Sequence, residues 1–187
     1  MKKYIFIIIV FIAVKGIAQQ ENGAQQFWNS IKNNCGKAFE GEIISAPEDS
    51  KFRNKKLIIH VKSCSENIIK IPFIVGKDRS RTFILTYKNN RIQLKHDHRH
   101  EDGLPDEVTM YGGTTSNTGL PNIQFFPADQ ETSDLISYAS TNVWWITVDK
   151  TSFTYNLRRV ENDKPFTVKF DLTKSINLPE AQWGWED

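Results

Sequence analysis

The sequence predicts an all-β domain, an antiparallel up-and-down barrel of about eight to ten strands entered through one short helix. Three observations predict it. From Ala38 onward, short β-branched and aromatic runs alternate with turn residues. Several neighbouring runs are joined by very short links, at Asn89-Asn90, 149–152 and 161–164. Links that short force antiparallel hairpins, and a succession of hairpins makes a meander. A meander either closes into a barrel, which removes its exposed edges, or folds into a β-sandwich, which is the alternative.

The chain opens with the three parts of a secretory signal. Lys2 and Lys3 precede an uncharged apolar run over 4–14. Lys15-Gly16-Ile17-Ala18 then sets small residues at the last and third-from-last positions before a cut ahead of Gln19. The apolar run is about eleven residues, where a spanning helix needs roughly 20. No second stretch of that length follows. Residues 1–18 are therefore expected to leave as a signal peptide. Residues 19–187 are expected to form one soluble domain with no membrane span, periplasmic or secreted, and its oligomeric state stays open.

The whole chain has 24 Lys+Arg against 22 Asp+Glu. Loss of Lys2, Lys3 and Lys15 leaves 21 against 22, so the mature domain is near neutral and no nucleic-acid partner is expected. The two cysteines, Cys35 and Cys64, read as a structural disulfide in an oxidising compartment.

Element by element, Phe27, Trp28 and Ile31 fall at helical spacing within 25–34, with Gly36 as the stop. Strands are expected over 38–45, 56–64, 68–75, 81–87, 91–99, 107–112, 123–126, 142–148, 153–160 and 166–172. Pro72 predicts an edge, a bulge or a break inside the third. A late helix is expected over 132–139. The tail from Asn177, with Trp183 and Trp185, is expected to pack across the surface.

The chemistry gathers in one hairpin. In a strand, residues two apart share a face. Ile92, Leu94, His96, His98 and His100 therefore share one, and its apolar start marks it as the interior face. Gln93, Lys95, Asp97 and Arg99 are expected to face water. With Asn89-Asn90 as a two-residue turn, Tyr87 opposes Ile92, Leu85 opposes Leu94, and Phe83 opposes His96. Arg81 then opposes His98, and Arg79 opposes His100. Guanidiniums and imidazoles converging at one barrel end suit an anion such as a carboxylate, phosphate or acidic sugar. Tyr111, in Met110-Tyr111-Gly112-Gly113, adds a hydroxyl and an aromatic wall, and its glycines permit close approach. The alternative is a metal held by His96, His98 and His100, which the two arginines on the same face oppose. A purely structural polar rim, in which His98 or Arg81 simply bonds Asp97, Asp102 or Asp78, is the bland reading. His60 alternates with Ile58 and is expected to be a satisfied, half-buried side chain.

Gly36-Lys37-Ala38-Phe39, Asp78-Arg79-Ser80-Arg81-Thr82, the run from Leu94 to Gly103 (LKHDHRHEDG), Tyr111-Gly112-Gly113 and Phe126-Pro127-Ala128-Asp129 resemble a group of uncharacterised exported bacterial proteins. The likeness implies a bacterial exported protein and lends no activity. The helix-then-meander order also resembles lipocalin-type barrels, which implies a calycin-like architecture. The leading expectation is a binding protein for a small anionic molecule at Arg79, Arg81, His96, His98, His100 and Tyr111, with no cofactor. The others are a hydrolase or lyase with a histidine base and unassigned catalytic residues, and a structural envelope protein with no ligand.

Overall fold

The computed structural model describes residues 21–160 and 165–185. The expected signal peptide, 1–18, and the expected turn over 161–164 lie outside the described residues. The all-β expectation holds, as a nearly closed ten-stranded antiparallel barrel.

Helix α1 (Gly23–Lys32) starts where Asn22 caps it, its side-chain oxygen accepting from the Gln25 N–H at 3.0 Å. Ala24, Phe27, Trp28 and Ile31 form its buried face. Then come β1 (Ala38–Ser45), β2 (Leu57–His60), β3 (Ser63–Cys64), β4 (Ile68–Val75), β5 (Asp78–Lys88) and β6 (Arg91–His98). The chain continues through β7 (Tyr111–Thr114), β8 (Ile123–Pro127), α2 (Gln130–Leu135) and a 3-10 turn (Ser137–Ala139). It ends with β9 (Asn142–Val148), β10 (Ser152–Arg159) and β11 (Phe166–Ile176).

The strand order is β7-β6-β5-β4-β2-β1-β11-β10-β9-β8, with β3 on β4. Each hairpin pairs its own neighbours, and β1 pairs with β11 to join the two halves. The outermost strands, β7 and β8, are consecutive in sequence and meet without a ladder. Their seam is sewn by polar groups from the start of α2. The Asp129 N–H donates to the Gly112 carbonyl at 3.0 Å, and Thr132 Oγ1 accepts from Gly112 N–H at 2.7 Å.

Asn89 and Asn90 both have positive φ, 53° and 59°, the backbone of a two-residue primed hairpin turn. It fixes the expected register: Tyr87 opposes Ile92, Leu85 opposes Leu94, Phe83 opposes His96, and Arg81 opposes His98. The interior is filled by residues such as Phe39, Ile59, Ile71, Leu85, Leu94 and Phe170, all buried. Trp28 of α1 lies 5.6 Å from Tyr87, so the helix sits at the Asn89-Asn90 end. The histidines lie towards the other end.

Three expected elements are corrected. The run over 56–64 is two pieces, because the β2–β4 ladder stops at Ile59–Phe73, next to Pro72, which has no N–H to offer. The expected strand over 107–112 begins only at Tyr111. Asp102 and Asp106 accept from the N–H groups of Leu104 and Val108, both at 2.9 Å, and those side-chain turns hold 99–110 as a loop. The expected helix over 132–139 starts earlier, at Gln130, because Asp129 is its cap: Asp129 Oδ1 accepts from Thr132 N–H at 2.9 Å.

Cys35 and Cys64 are bonded, with their Cα atoms 6.2 Å apart, and the bond ties the end of α1 to β3. The bridge closes a separation of 29 residues. On chain-entropy grounds its loss costs about 3–4 kcal/mol. Replacing both cysteines with serine is expected to lower the denaturant midpoint accordingly, and an unchanged midpoint would show that the bond adds nothing.

Candidate functional site

The end of the barrel opposite α1 opens into a cavity of about 680 Å³. Strands β4, β5, β6, β7, β9, β10 and β11 supply its floor and sides, and the loop over 46–56, the loop over 99–110 and the 3-10 turn wall it in. The floor is made of rings. Phe83 stacks on Tyr155 with centroids 4.4 Å apart, and His96 stacks on Tyr111 at 4.7 Å. Trp144 lies 5.1 Å from His96.

Four of the six expected site residues line this cavity: Arg81, His96, His98 and Tyr111. Two do not. The β4–β5 ladder slips by one residue between Phe73–Arg81 and Val75–Asp78. That bulge takes Arg79 out of the inward alternation. Its guanidinium instead holds the tail, donating to the Ala181 carbonyl at 3.0 Å and pairing with Glu180 at 2.8 Å. His100 lies beyond the last residue of β6, in a tight turn where its N–H bonds the Leu104 carbonyl, and it is exposed. The alternative triad of His96, His98 and His100 is thus not brought together. Among the described residues no three His, Cys, Asp or Glu side chains are grouped to hold a metal ion.

The two inward histidines are neutral, each for a stated reason. His96 is buried, and burial holds its pKa down at about 3. Its Nδ1 lies 3.0 Å from the Tyr111 carbonyl, which can only accept, so Nδ1 carries the proton. Nε2 is then the acceptor, taking the Tyr155 hydroxyl at 2.8 Å. Burial, reinforced by the Arg81 charge, lowers His98 to about 4, against the opposing pull of Asp106 and Asp97. His98 Nε2 lies 3.1 Å from the Tyr111 hydroxyl, whose pKa burial raises to about 12. Neither histidine is hydrogen-bonded to a carboxylate among the described residues. His60, half-buried as expected, lies on β2 and does not line the cavity.

The permanent positive charge inside the cavity is Arg81. Its side chain is only 12 % exposed, it lies 5.5 Å over the Phe52 ring, and Nη1 donates to Asp78. Burial would raise the Asp78 pKa, but hydrogen bonds from Ser80 and Arg81 win and hold it at about 2. At the rim stand Lys51 and Arg159, the latter 4.8 Å over the Tyr138 ring. Asp106 also lines the cavity.

The expectation that Lys95 and Asp97 face water is corrected: both are buried. They do point outward, but other chain covers them. Lys95 Nζ reaches Asp129 and Glu131, both at 2.7 Å. Asp97 accepts from Arg99 at 2.9 Å and from the Trp185 indole N–H at 2.8 Å. The Trp185 ring is clasped by Lys70 at 3.4 Å and Arg99 at 4.6 Å, so the tail crosses the surface as expected.

Sequence reasoning missed Lys51, Phe52, Tyr155 and Arg159 as cavity residues. Tyr155 was within reach, since it alternates with Phe153 and Leu157 on β10; Lys51 and Phe52 sit in a loop with no periodicity to read. Trp144 faces the cavity, while Trp145 points outward beside Phe125, at 6.1 Å. No helix among the described residues is long and apolar enough to cross a membrane. No protein-family model, no curated protein and no solved structure matches this chain.

Proposed function

We propose that this chain is an exported bacterial binding protein, periplasmic or secreted, that holds a small anionic molecule in the cavity at the open end of the barrel. The observation that carries the reading is a nearly buried guanidinium, Arg81, in a 680 Å³ space lined mainly by aromatic rings and neutral imidazoles, with Asp49, Lys51, Asp106 and Arg159 as its other charged groups. A cavity of that size suits a drug-sized molecule. A buried arginine in it supplies directed hydrogen bonds to an oxyanion. The Cys35–Cys64 bond and the signal-like start both fit export. The hydrolase or lyase reading gains no support from the histidines: each bonds a phenol, and among the described residues neither is hydrogen-bonded to a carboxylate that would orient it as a base.

A thermal-shift screen of the mature protein against carboxylates, phosphate, sulfate, acidic sugars and divalent metals tests this reading. A ligand at a hundredfold its dissociation constant adds roughly 2.7 kcal/mol. An anion is expected to raise the transition of the native protein and to lose that effect in Arg81→Met. Stabilisation by metals alone, or by an anion equally well in Arg81→Met, defeats it.

A further inference from the structure

We infer that the anion held in the cavity is a flat, ring-bearing monocarboxylate, with its ring against the aromatic floor and its carboxylate on Arg81. This rests on the reading above and narrows it. The first argument is shape. The lining is dominated by planar groups, including Phe52, Phe73, Phe83, Trp144, Tyr155 and Phe166, against few aliphatic side chains. Ring faces present flat slabs with a negative quadrupole, and they favour offset stacking or edge contacts with another ring. A flexible alkyl chain gains no such geometry and gives up rotamer entropy on entering.

The second argument is charge. Asp78 already neutralises Arg81 in part, and both cavity histidines stay neutral at physiological pH. The cavity therefore offers one nearly buried guanidinium and hydroxyls, alongside the carboxylates of Asp49 and Asp106. A single negative charge suits that arrangement; a compact dianion would need a second buried cation, and Lys51 and Arg159 are at the exposed rim. The Arg81 guanidinium has further N–H groups beyond the one Asp78 engages, and it makes no other hydrogen bond among the described residues. Those donors match the two oxygens of a carboxylate. The Tyr111 hydroxyl, shared with His98, is within the same cavity to donate or accept as the ligand requires.

Three probes of different shape and charge decide the matter on the unaltered protein, so no variant has to fold: 2-naphthoate, decanoate and inorganic phosphate. Binding is followed by calorimetry and by indole fluorescence, since Trp144 is part of the floor. The expected result is 2-naphthoate binding at least tenfold tighter than decanoate or phosphate. Arg81→Met, checked for a native near-ultraviolet spectrum, is expected to weaken 2-naphthoate at least tenfold and leave the neutral 2-naphthalenemethanol within about twofold. Decanoate or phosphate binding as tightly as 2-naphthoate overturns the ring or monocarboxylate inference and leaves the anion-binding reading standing. Binding of none of the three at millimolar concentration overturns both.

Discussion

Lowering the pH from 7.5 to 5 is expected to cost the folded domain about 4 kcal/mol. The cause is the pair of inward histidines. A histidine in an unfolded chain takes up its proton near pH 6.5, whereas folded His96 and His98 take theirs up only at about 3 and about 4. Between those values the unfolded state binds more protons, so stability falls as pH falls. The contribution is fully present above about pH 6.5. Each histidine gives up about 2 kcal/mol by pH 5 and roughly 3 kcal/mol by pH 4, and typical domains have only 5–15 kcal/mol to lose. The charges facing His98 are Arg81 and Lys51, which oppose its protonation, and Asp106 and Asp97, which favour it; those facing His96 are His98 and Lys95. Urea unfolding at half-unit pH steps measures the effect. His98→Gln keeps a hydrogen-bonding partner for the Tyr111 hydroxyl but cannot titrate, and it is expected to remove about half of the pH dependence. A flat stability from pH 7 to 5 in the native protein would mean that the histidines protonate in place, with the cavity rearranging around them.

The register of this hairpin was readable in advance because one turn type determines it. Two asparagines that tolerate positive φ fixed the pairing from Lys88–Arg91 out to Arg81–His98. What lay beyond was not readable. The bulge that turns Arg79 outward arises in the pairing of β5 with β4, and no residue type in Asp78-Arg79-Ser80-Arg81 announces it. His100 was misplaced for a related reason: alternation says which face a residue shares but not where the strand stops, and the chain leaves the ladder after His98. Lys95 and Asp97 show a further limit. Their outward direction was legible, yet their burial depends on α2 and on Trp185, which arrive from 34 and 88 residues away. The cavity walls were hidden for the same reason, since loops such as 46–56 carry no periodic signal.

The seam between β7 and β8 is where a single methyl group is expected to do the most damage. A Cβ on Gly112 would overlap the carbonyl oxygen of Leu94 on β6, and one on Gly113 would overlap the carbonyl oxygen of Pro127 on β8. Both obstacles are backbone, so neither can swing aside as a side chain would. Relief requires β7 to lift from β6 or the barrel to open along its one seam without a ladder. Opening also breaks the bonds that Gly112 makes to Asp129 and Thr132, which hold α2 in place. Gly112→Ala and Gly113→Ala are therefore each expected to cost about 4 kcal/mol or more, at the far end of what single substitutions do. Gly36→Ala is the control. Its φ of +79° makes any side chain strained, but a Cβ there meets nothing within 4 Å, so the cost is expected to be about 1–2 kcal/mol. Denaturant midpoints of the three variants at pH 7.5 separate backbone overlap from backbone strain. Should Gly113→Ala lose no more than Gly36→Ala, β7 and β8 do not meet this closely, and the barrel is open at that point. The same change bears on the cavity, because Tyr111 is the residue next to Gly112. A β7 that lifts carries away both the carbonyl that fixes the His96 tautomer and the hydroxyl beside His98. Closure of the barrel and assembly of the cavity thus depend on the same two glycines.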